Sequence, residues 1–94
     1  MGYVIQNQRV RAYDEWKASF DAHLELRKGH GAKGHIVYRG IDEPTQVVAI
    51  TEFGSHDKAR AFLADPAAQA AMSAGGLQDP VSILLSEPVD ESRY

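Results

Sequence analysis

Residues 46–53 read as a β-strand that carries apolar side chains on both of its faces. Successive strand residues point to opposite faces, so Val47 and Ala49 line one side while Val48 and Ile50 line the other. A strand that is apolar on both faces must be covered on both faces. The chain has only two predicted helical regions, which can cover one face of a small sheet. The other face needs a partner, and the sequence therefore predicts a homodimer that encloses a pocket.

The length and charge of the chain limit its organisation and its partners. Its 94 residues predict one domain spanning positions 1–94, which ends in a polar tail at 88–94. The net charge of −3 and the scattered basic residues argue against a nucleic-acid partner. The tightest basic cluster, Arg27, Lys28, His30 and Lys33, lies at a predicted helix end, where cations are favourable in any case.

The absence of cysteine excludes disulfides, a thiolate nucleophile and a cysteine metal site. The first residues do not place a basic region before an apolar one, and no apolar run is long enough to cross a bilayer. We therefore expect a cytoplasmic protein with no membrane partner.

The predicted elements alternate in a recognisable order. Asp14 is the expected N-cap of the first helix, which glycines 29 and 31 end, and Ser55 is the expected cap of the second. Asp65-Pro66 predicts a second start within that helix. The predicted strands are Tyr3–Val10, His35–Ile41, Gln46–Phe53 and Val81–Glu87, and the alanine-rich helical segment is Ala67–Ala74. The order βαββαβ predicts an α+β, ferredoxin-like fold with an antiparallel four-stranded sheet and both helices on one face.

The sequence contains no well-supported nucleotide, metal or serine-nucleophile motif. Residues 29–34 match G-x-G-x-x-G, but they follow a helix and open a strand, the reverse of a dinucleotide site. The four histidines lack the spacing of a metal site, so no metal is predicted. Of these, His30 and His56 are expected to be solvated. No serine lies in a Gly-x-Ser-x-Gly elbow, so no catalytic triad is predicted.

The aromatic side chains and two histidines indicate a candidate pocket. The aromatic residues expected to converge between sheet and helices are Trp16, Phe20, Tyr38, Phe53 and Phe62. Such a cluster is either ordinary core or the wall of a site for a planar ligand. His23 lies on the helix face of Trp16, so it is either a core histidine with one hydrogen-bond partner or a base facing a ligand. His35, on the second strand, allows the same two interpretations.

Two short patterns resemble the dimeric α/β-barrel superfamily. They are Tyr13-Asp14-x-Trp16, which opens the first helix, and Ile50-Thr-Glu-Phe-x-Ser55-x-Asp-x-Ala59, which leads into the second. The likeness spans the whole chain and is greatest to the antibiotic-biosynthesis-monooxygenase-like and stress-responsive barrel proteins. It implies two ferredoxin-like subunits whose sheets close a barrel, with a pocket in each. Members include cofactor-free monooxygenases of polycyclic aromatic polyketides, haem-degrading enzymes and proteins without known activity.

The resemblance also assigns expectations to single positions. Asn7 falls where haem degraders and some monooxygenases carry a catalytic asparagine. Phe62 falls where haem degraders have tryptophan and many monooxygenase-like members have histidine. Met72 falls where haem degraders have the iron-ligating histidine. Two of these three positions depart from the haem-degrading pattern, so haem chemistry is disfavoured and no cofactor is expected.

Three functions remain open at this point. The first is a small-molecule-binding barrel that acts as a cofactor-free monooxygenase on an aromatic or polyketide-like compound, since a desolvated phenolate can react with oxygen directly. Its catalytic candidates are Asn7 as donor, Trp16 as stacking platform and His23 as base. The ligand-binding candidates are Phe20, His35, Tyr38, Phe53, Phe62 and Met72. The second function is a non-catalytic dimeric barrel used in binding or stress protection, and the third, disfavoured one is a metal- or haem-linked enzyme.

Overall fold

A computed structural model describes all residues from Met1 to Tyr94. One antiparallel sheet of four strands has the order β2-β3-β1-β4, and helices pack on one of its faces. The elements are β1 (Gly2–Arg9), α1 (Tyr13–Ala22), α2 (Leu24–Gly29), β2 (Ala32–Arg39), β3 (Gln46–Phe53), α3 (His56–Ala64), α4 (Pro66–Ser73) and β4 (Val81–Leu85). The predicted ferredoxin-like α+β fold is confirmed.

The two-faced character of β3 is confirmed residue by residue. Val47 and Ala49 are buried beneath the helices, at 0% and 1% exposure. Val48 and Ile50 are half-buried on the opposite face, which no helix of the chain covers. We call this uncovered side of the sheet the open face.

A row of isoleucines crosses the open face through all four strands. Ile36 of β2 pairs with Ile50 of β3, Ile50 with Ile5 of β1, and Ile5 with Ile83 of β4. The two outer members, Ile36 and Ile83, are 54% and 48% exposed. The row makes the centre of the open face apolar from one edge of the sheet to the other.

The strand at one edge, β4, is short and poorly covered. All of its five residues are exposed, including the apolar Val81, Leu84 and Leu85. It ends at Leu85 rather than at the predicted Glu87. At the other edge, β2 begins at Ala32 and ends at Arg39, three residues earlier at its start than predicted, because Gly34 already pairs with Glu52.

The first helical region ends at Gly29 as predicted, but it differs from its prediction at its start and in its middle. The helix begins at Tyr13 with Ala12 as its cap, so Asp14 lies in the first turn and is not the predicted N-cap. The chain then breaks at His23, which ends α1 and starts α2. Side chains at spacings of three and four continue across this break, and for that reason the sequence pattern predicted a single helix.

Both predicted caps of the second helical region are confirmed. Ser55 Oγ accepts the Lys58 N–H at 3.1 Å, and Asp65 Oδ1 accepts the Ala67 N–H at 2.9 Å. Asp65-Pro66 thus separates α3 from α4, as the missing N–H and fixed φ of proline favour.

The prediction that His30 is solvated is wrong. Its Nε2 lies 2.8 Å from Asp65 Oδ2, and its ring meets Phe62 edge-on at 5.5 Å. The hydrogen bond from His30, followed by that from the Ala67 N–H, lowers the pKa of Asp65. This pair ties the end of α2 to the junction between α3 and α4. The side chain of His56, by contrast, is 53% exposed.

Two glycines offer a matched test of this framework. Gly75 has φ +77°, and a Cβ there would lie 3.2 Å from Trp16 Cα, so Gly75→Ala should destabilise the protein by about 1–2 kcal/mol. Gly29 ends α2 with nothing within 4 Å of an added Cβ, so Gly29→Ala should leave stability unchanged or raise it by up to about 1 kcal/mol. Urea unfolding of both variants checks this. Equal losses would mean that the Gly75 turn is not held as described.

Candidate functional site

A small cavity lies between the covered face of the sheet and the helices. Its volume is about 20 Å³, enough for about one water molecule. Every element except β2 and β4 contributes to its wall, and most of the lining is apolar. The lining residues are Val4, Gln6, Trp16, Phe20, His23, Leu26, Arg27, Thr51, Phe62, Ala71, Met72 and Ala74.

An aromatic stack forms one side of the cavity. Trp16 is 2% exposed and stacks on Phe20 with ring centroids 4.9 Å apart and planes inclined at 23°. The spacing of four residues places both rings on the inner face of α1. Phe62 of α3 and Met72 of α4 close the cavity opposite and are 4% and 7% exposed. The stack offers a flat apolar surface inside the fold.

Four polar side chains line the same space, and none of the lining residues is acidic. Gln6 and Thr51 come from the covered face of the sheet, and His23 and Arg27 from the helical region above it. Gln6 Nε2 donates to Gln8 Oε1 at 2.7 Å and to the Met72 carbonyl at 3.2 Å. The latter bond holds α4 against the centre of the sheet.

The hydrogen bond of His23 assigns its tautomer. Nδ1 lies 2.7 Å from the carbonyl oxygen of Ser19, which can only accept, so Nδ1 carries the proton. In the neutral ring, Nε2 then carries a lone pair that no hydrogen bond uses. The ring is half-buried and sits at the break between α1 and α2. His23 therefore has the geometry of a proton acceptor held in place by the backbone.

Arg27 is the most unusual polar residue of the site. Its side chain is 5% exposed, Nη1 donates to the Phe20 carbonyl at 2.6 Å, and the guanidinium lies 3.7 Å from the centre of the Phe20 ring. Nη2 is buried and has no hydrogen-bond partner. Burial lowers the pKa of Arg27, against the opposing charge of Asp21. The charge is thus inside the protein without a carboxylate to neutralise it.

A larger groove of about 280 Å³ adjoins the cavity on the surface. Arg27 and Thr51 line both spaces, so they form the wall between them. The remaining residues of the groove are Leu24, Lys28, Ala32, Lys33, Gly34 and His35. We call this feature the basic groove, because it contains cationic side chains and no acidic ones.

His35 connects the basic groove to the aromatic stack. Its ring meets Phe20 edge-on with centroids 4.9 Å apart. Partial burial, followed by the charges of Arg27 and Lys17, lowers the pKa of His35. The imidazole is therefore neutral at neutral pH and adds hydrogen-bonding capacity to the groove without adding charge.

The structure brings most of the predicted site residues together. Those that line the cavity are Trp16, Phe20, His23, Phe62 and Met72. Phe53 is fully buried behind them, with its ring 5.0 Å from that of Phe62. His35 lies on the groove side of Phe20.

Asn7 and Tyr38 are not part of this cluster. Both side chains project from the open face, because their strand neighbours point toward the helices. Asn7 Oδ1 accepts a hydrogen bond from Gln46 there. Tyr38 is 55% exposed. Within one copy of the chain, the sheet separates Asn7 from Trp16 and His23, and the catalytic roles expected of these three residues stay predictions.

Sequence reasoning missed Gln6, Thr51 and Arg27 as lining residues. Gln6 alternates with the buried Val4, and Thr51 alternates with Ala49 and Phe53, so strand periodicity could have placed both on the covered face. Arg27 belongs to the same helical stripe as Trp16 and Phe20. Its place in the last turn of a helix favoured the reading of a solvated cation.

Comparison of this fold with solved structures gives close matches along the whole chain. A candidate antibiotic biosynthesis monooxygenase from Bordetella bronchiseptica superposes with a TM-score of 0.75 at 14% identity, covering 94% of this chain and 97% of that one. SnoaB from Streptomyces nogalater, a cofactor-independent oxygenase, superposes with a TM-score of 0.74 at 20% identity, covering 95% and 94%. Rv0793 from Mycobacterium tuberculosis gives 0.68 at 17% identity, covering 98% of both chains.

The fold is that of the antibiotic biosynthesis monooxygenase-like proteins. The resemblance seen in the sequence is therefore confirmed at the level of the monooxygenase-like fold. At identities of 14–20% the likeness is one of architecture. No protein-family model and no curated protein matches the chain.

Metal binding and membrane insertion each require a structural feature that this fold does not show. Nowhere do three histidine, aspartate or glutamate side chains converge as metal ligands. The longest helix, α1, has ten residues, and none of the helices has the length and apolar character to span a bilayer.

Proposed function

We propose that the protein binds an aromatic small molecule between its sheet and helices and oxygenates it without a cofactor. The observation that carries the proposal is the arrangement of His23. Its Nδ1–H donates to the Ser19 carbonyl, so its Nε2 is free, and its ring borders a cavity lined by aromatic side chains and by no acidic ones. A base with a single available nitrogen, beside a flat apolar surface, suits proton removal from a hydroxylated aromatic ring. The shared architecture with SnoaB supports this class of chemistry.

The chemistry asks little of the protein. His23 Nε2 takes the phenolic proton, and Trp16 and Phe20 hold the ring in a site that excludes water. The phenolate reduces O₂ and forms a carbon–oxygen bond to it. One oxygen atom stays in the product as a quinone carbonyl, and the other leaves as water with the ring hydrogen and the phenolic proton. Desolvation of the phenolate raises its reactivity toward oxygen.

An aromatic ring enters this site only if the wall moves. A volume of about 20 Å³ accommodates one water molecule and no ring. The wall segment best placed to yield is α4, an eight-residue helix that begins at Pro66 and precedes the Gly75-Gly76 turn. Displacing Met72 from the cavity would open space beside Trp16 and Phe62.

The small volume also supports a second candidate function. If α4 does not move, the protein is a non-catalytic barrel with a packed interior, used in binding or stress protection through its surfaces. In both cases we propose that two copies pair through the open face. The isoleucine row makes the centre of this face apolar, and exposed apolar patches often mark interaction surfaces.

Oxygen uptake with dihydroxynaphthalenes tests the catalytic proposal. We expect His23→Gln, whose amide can keep the bond to the Ser19 carbonyl, to lower the rate by about 100- to 10,000-fold. The matched control is His56→Gln, on an exposed histidine outside the cavity, which should retain the wild-type rate. Equal rates in wild type and His23→Gln would reject His23 as the base. No uptake and no binding in the wild type would favour the packed barrel.

A further inference from the structure

The buried guanidinium of Arg27 has one nitrogen, Nη2, for which the protein provides no hydrogen-bond acceptor. Nη1 donates to the Phe20 carbonyl, but Nη2 is buried without a hydrogen-bond partner. A buried donor left unpaired costs free energy, and more so when the group is charged. No contact within the fold offsets this cost. The geometry therefore indicates that a ligand supplies the acceptor for Nη2.

The surroundings of Arg27 identify the charge of that acceptor. Neither the cavity nor the basic groove contains an aspartate or glutamate. Asp21 acts on Arg27 only through its field, and the two form no ion pair. Lys28 and Lys33 line the groove beside Arg27, which makes the local potential positive. A neutral ligand would leave this charge uncompensated, whereas an anion would neutralise it.

The position of Arg27 also orients the ligand. Arg27 separates the aromatic cavity from the basic groove. A ligand could therefore place an apolar ring against the aromatic side chains of the cavity and an anionic oxygen against the cations of the groove. The guanidinium already stacks on Phe20, so a ligand ring placed against the aromatic stack would bring its anionic substituent near the N–H groups of Arg27. Planar guanidinium groups recognise carboxylates through paired N–H donors.

We infer that Arg27 is an anion receptor, and that the ligand of this pocket is an aromatic compound bearing a carboxylate in addition to the hydroxyl group that His23 deprotonates. The inference rests on the proposed function, because it names the charge of the molecule that the pocket takes. It assigns Arg27 the anionic end, and it leaves the role of His23 as base unchanged.

The test compares two probes of nearly the same shape, 1-naphthoate and 1-naphthamide, by isothermal titration calorimetry. We expect the wild type to bind naphthoate about 10- to 100-fold more tightly than naphthamide. Arg27→Met keeps an unbranched apolar stem and should remove this preference. Arg60→Met, which removes the same charge from an exposed position on α3, should retain it. The indole N–H signal of Trp16, the one tryptophan, locates binding at the cavity.

A stability measurement separates binding from architecture. If Arg27 serves a ligand, ligand-free Arg27→Met should have a Tm no lower than the wild type, because an unpaired buried charge has been removed. Should that variant fail to fold, Arg27→Lys keeps the charge without the fork and should reduce the naphthoate preference at least several-fold.

Each outcome decides between the two proposals. Naphthoate and naphthamide binding equally well to the wild type would overturn the anion receptor and leave the aromatic pocket standing. Naphthoate preference that survives in Arg27→Met would also overturn it. Binding of neither probe would reject the pocket and the receptor together.

Discussion

Ile50→Asp should convert a dimer of this protein into a folded monomer. Ile50 lies in the middle of the isoleucine row, between Ile36 and Ile5, so in a sheet-to-sheet dimer it would lie at the centre of the interface. Each protomer would then bury an unpaired carboxylate, at a cost of several kcal/mol per dimer. We expect the dimer dissociation constant to rise by at least about 1,000-fold, since 4 kcal/mol corresponds to that factor.

The fold should survive the change. Ile50 is only half-buried in the protomer, so a carboxylate at this position reaches water once the partner has left. Val48→Asp, one row away on the same face, should behave alike. Ile41→Asp is the matched control, because Ile41 is 96% exposed in the turn between β2 and β3. Sedimentation equilibrium at several concentrations measures the association. A monomeric wild type, or a dimeric Ile50→Asp, would place any contact between copies elsewhere.

Trp16→Ala should cost about 3–5 kcal/mol of unfolding free energy. Trp16 is 2% exposed, stacks on Phe20, and has the Gly75 backbone against its own. A cavity of about 20 Å³ beside it leaves little open surface, so truncation creates a large new void rather than enlarging an existing one. Many single domains of this size have a total stability of only 5–15 kcal/mol. The variant should therefore be close to unfolding at 37 °C.

Urea unfolding followed by far-ultraviolet circular dichroism measures this loss, because the variant has no tryptophan left to report by fluorescence. Trp16→Phe keeps a ring against Phe20 and should lose less than half as much. A loss below about 1 kcal/mol for Trp16→Ala would mean that Trp16 borders open space in solution. That result would also favour a pocket that is already open to a ligand.

The parts of the fold that sequence predicts well are those governed by local rules. The alternation of Val47, Val48, Ala49 and Ile50 assigned each residue of β3 to its face, because strand geometry has a fixed period of two. The caps at Ser55 and Asp65 followed from side-chain hydrogen bonding within one turn. Such features depend on neighbours in the chain, so a single sequence contains them.

The parts that failed depend on contacts distant in sequence. Gln6 and Gln8 occupy the covered face of β1, where polarity argues against burial, and a bond to the Met72 carbonyl helps to make burial of Gln6 tolerable. Asn7 consequently faces away from the cavity. His30 finds its partner 35 residues away in Asp65. Arg27 continues the helical stripe of Trp16 and Phe20 and is buried, although its charge argues for a place in solvent.

The edge strand β4 is a site at which copies of the chain could aggregate. It presents five exposed residues, V-S-I-L-L, with no charge among them and one free backbone edge. Uncharged edge strands of this composition template intermolecular β-pairing and the growth of aggregates. Pro80 before the strand and Pro88 shortly after it break the segment that could add to such a stack, and the charged residues of the tail oppose close approach of a second copy. We therefore expect the charged residues after Pro88 to limit aggregation through β4.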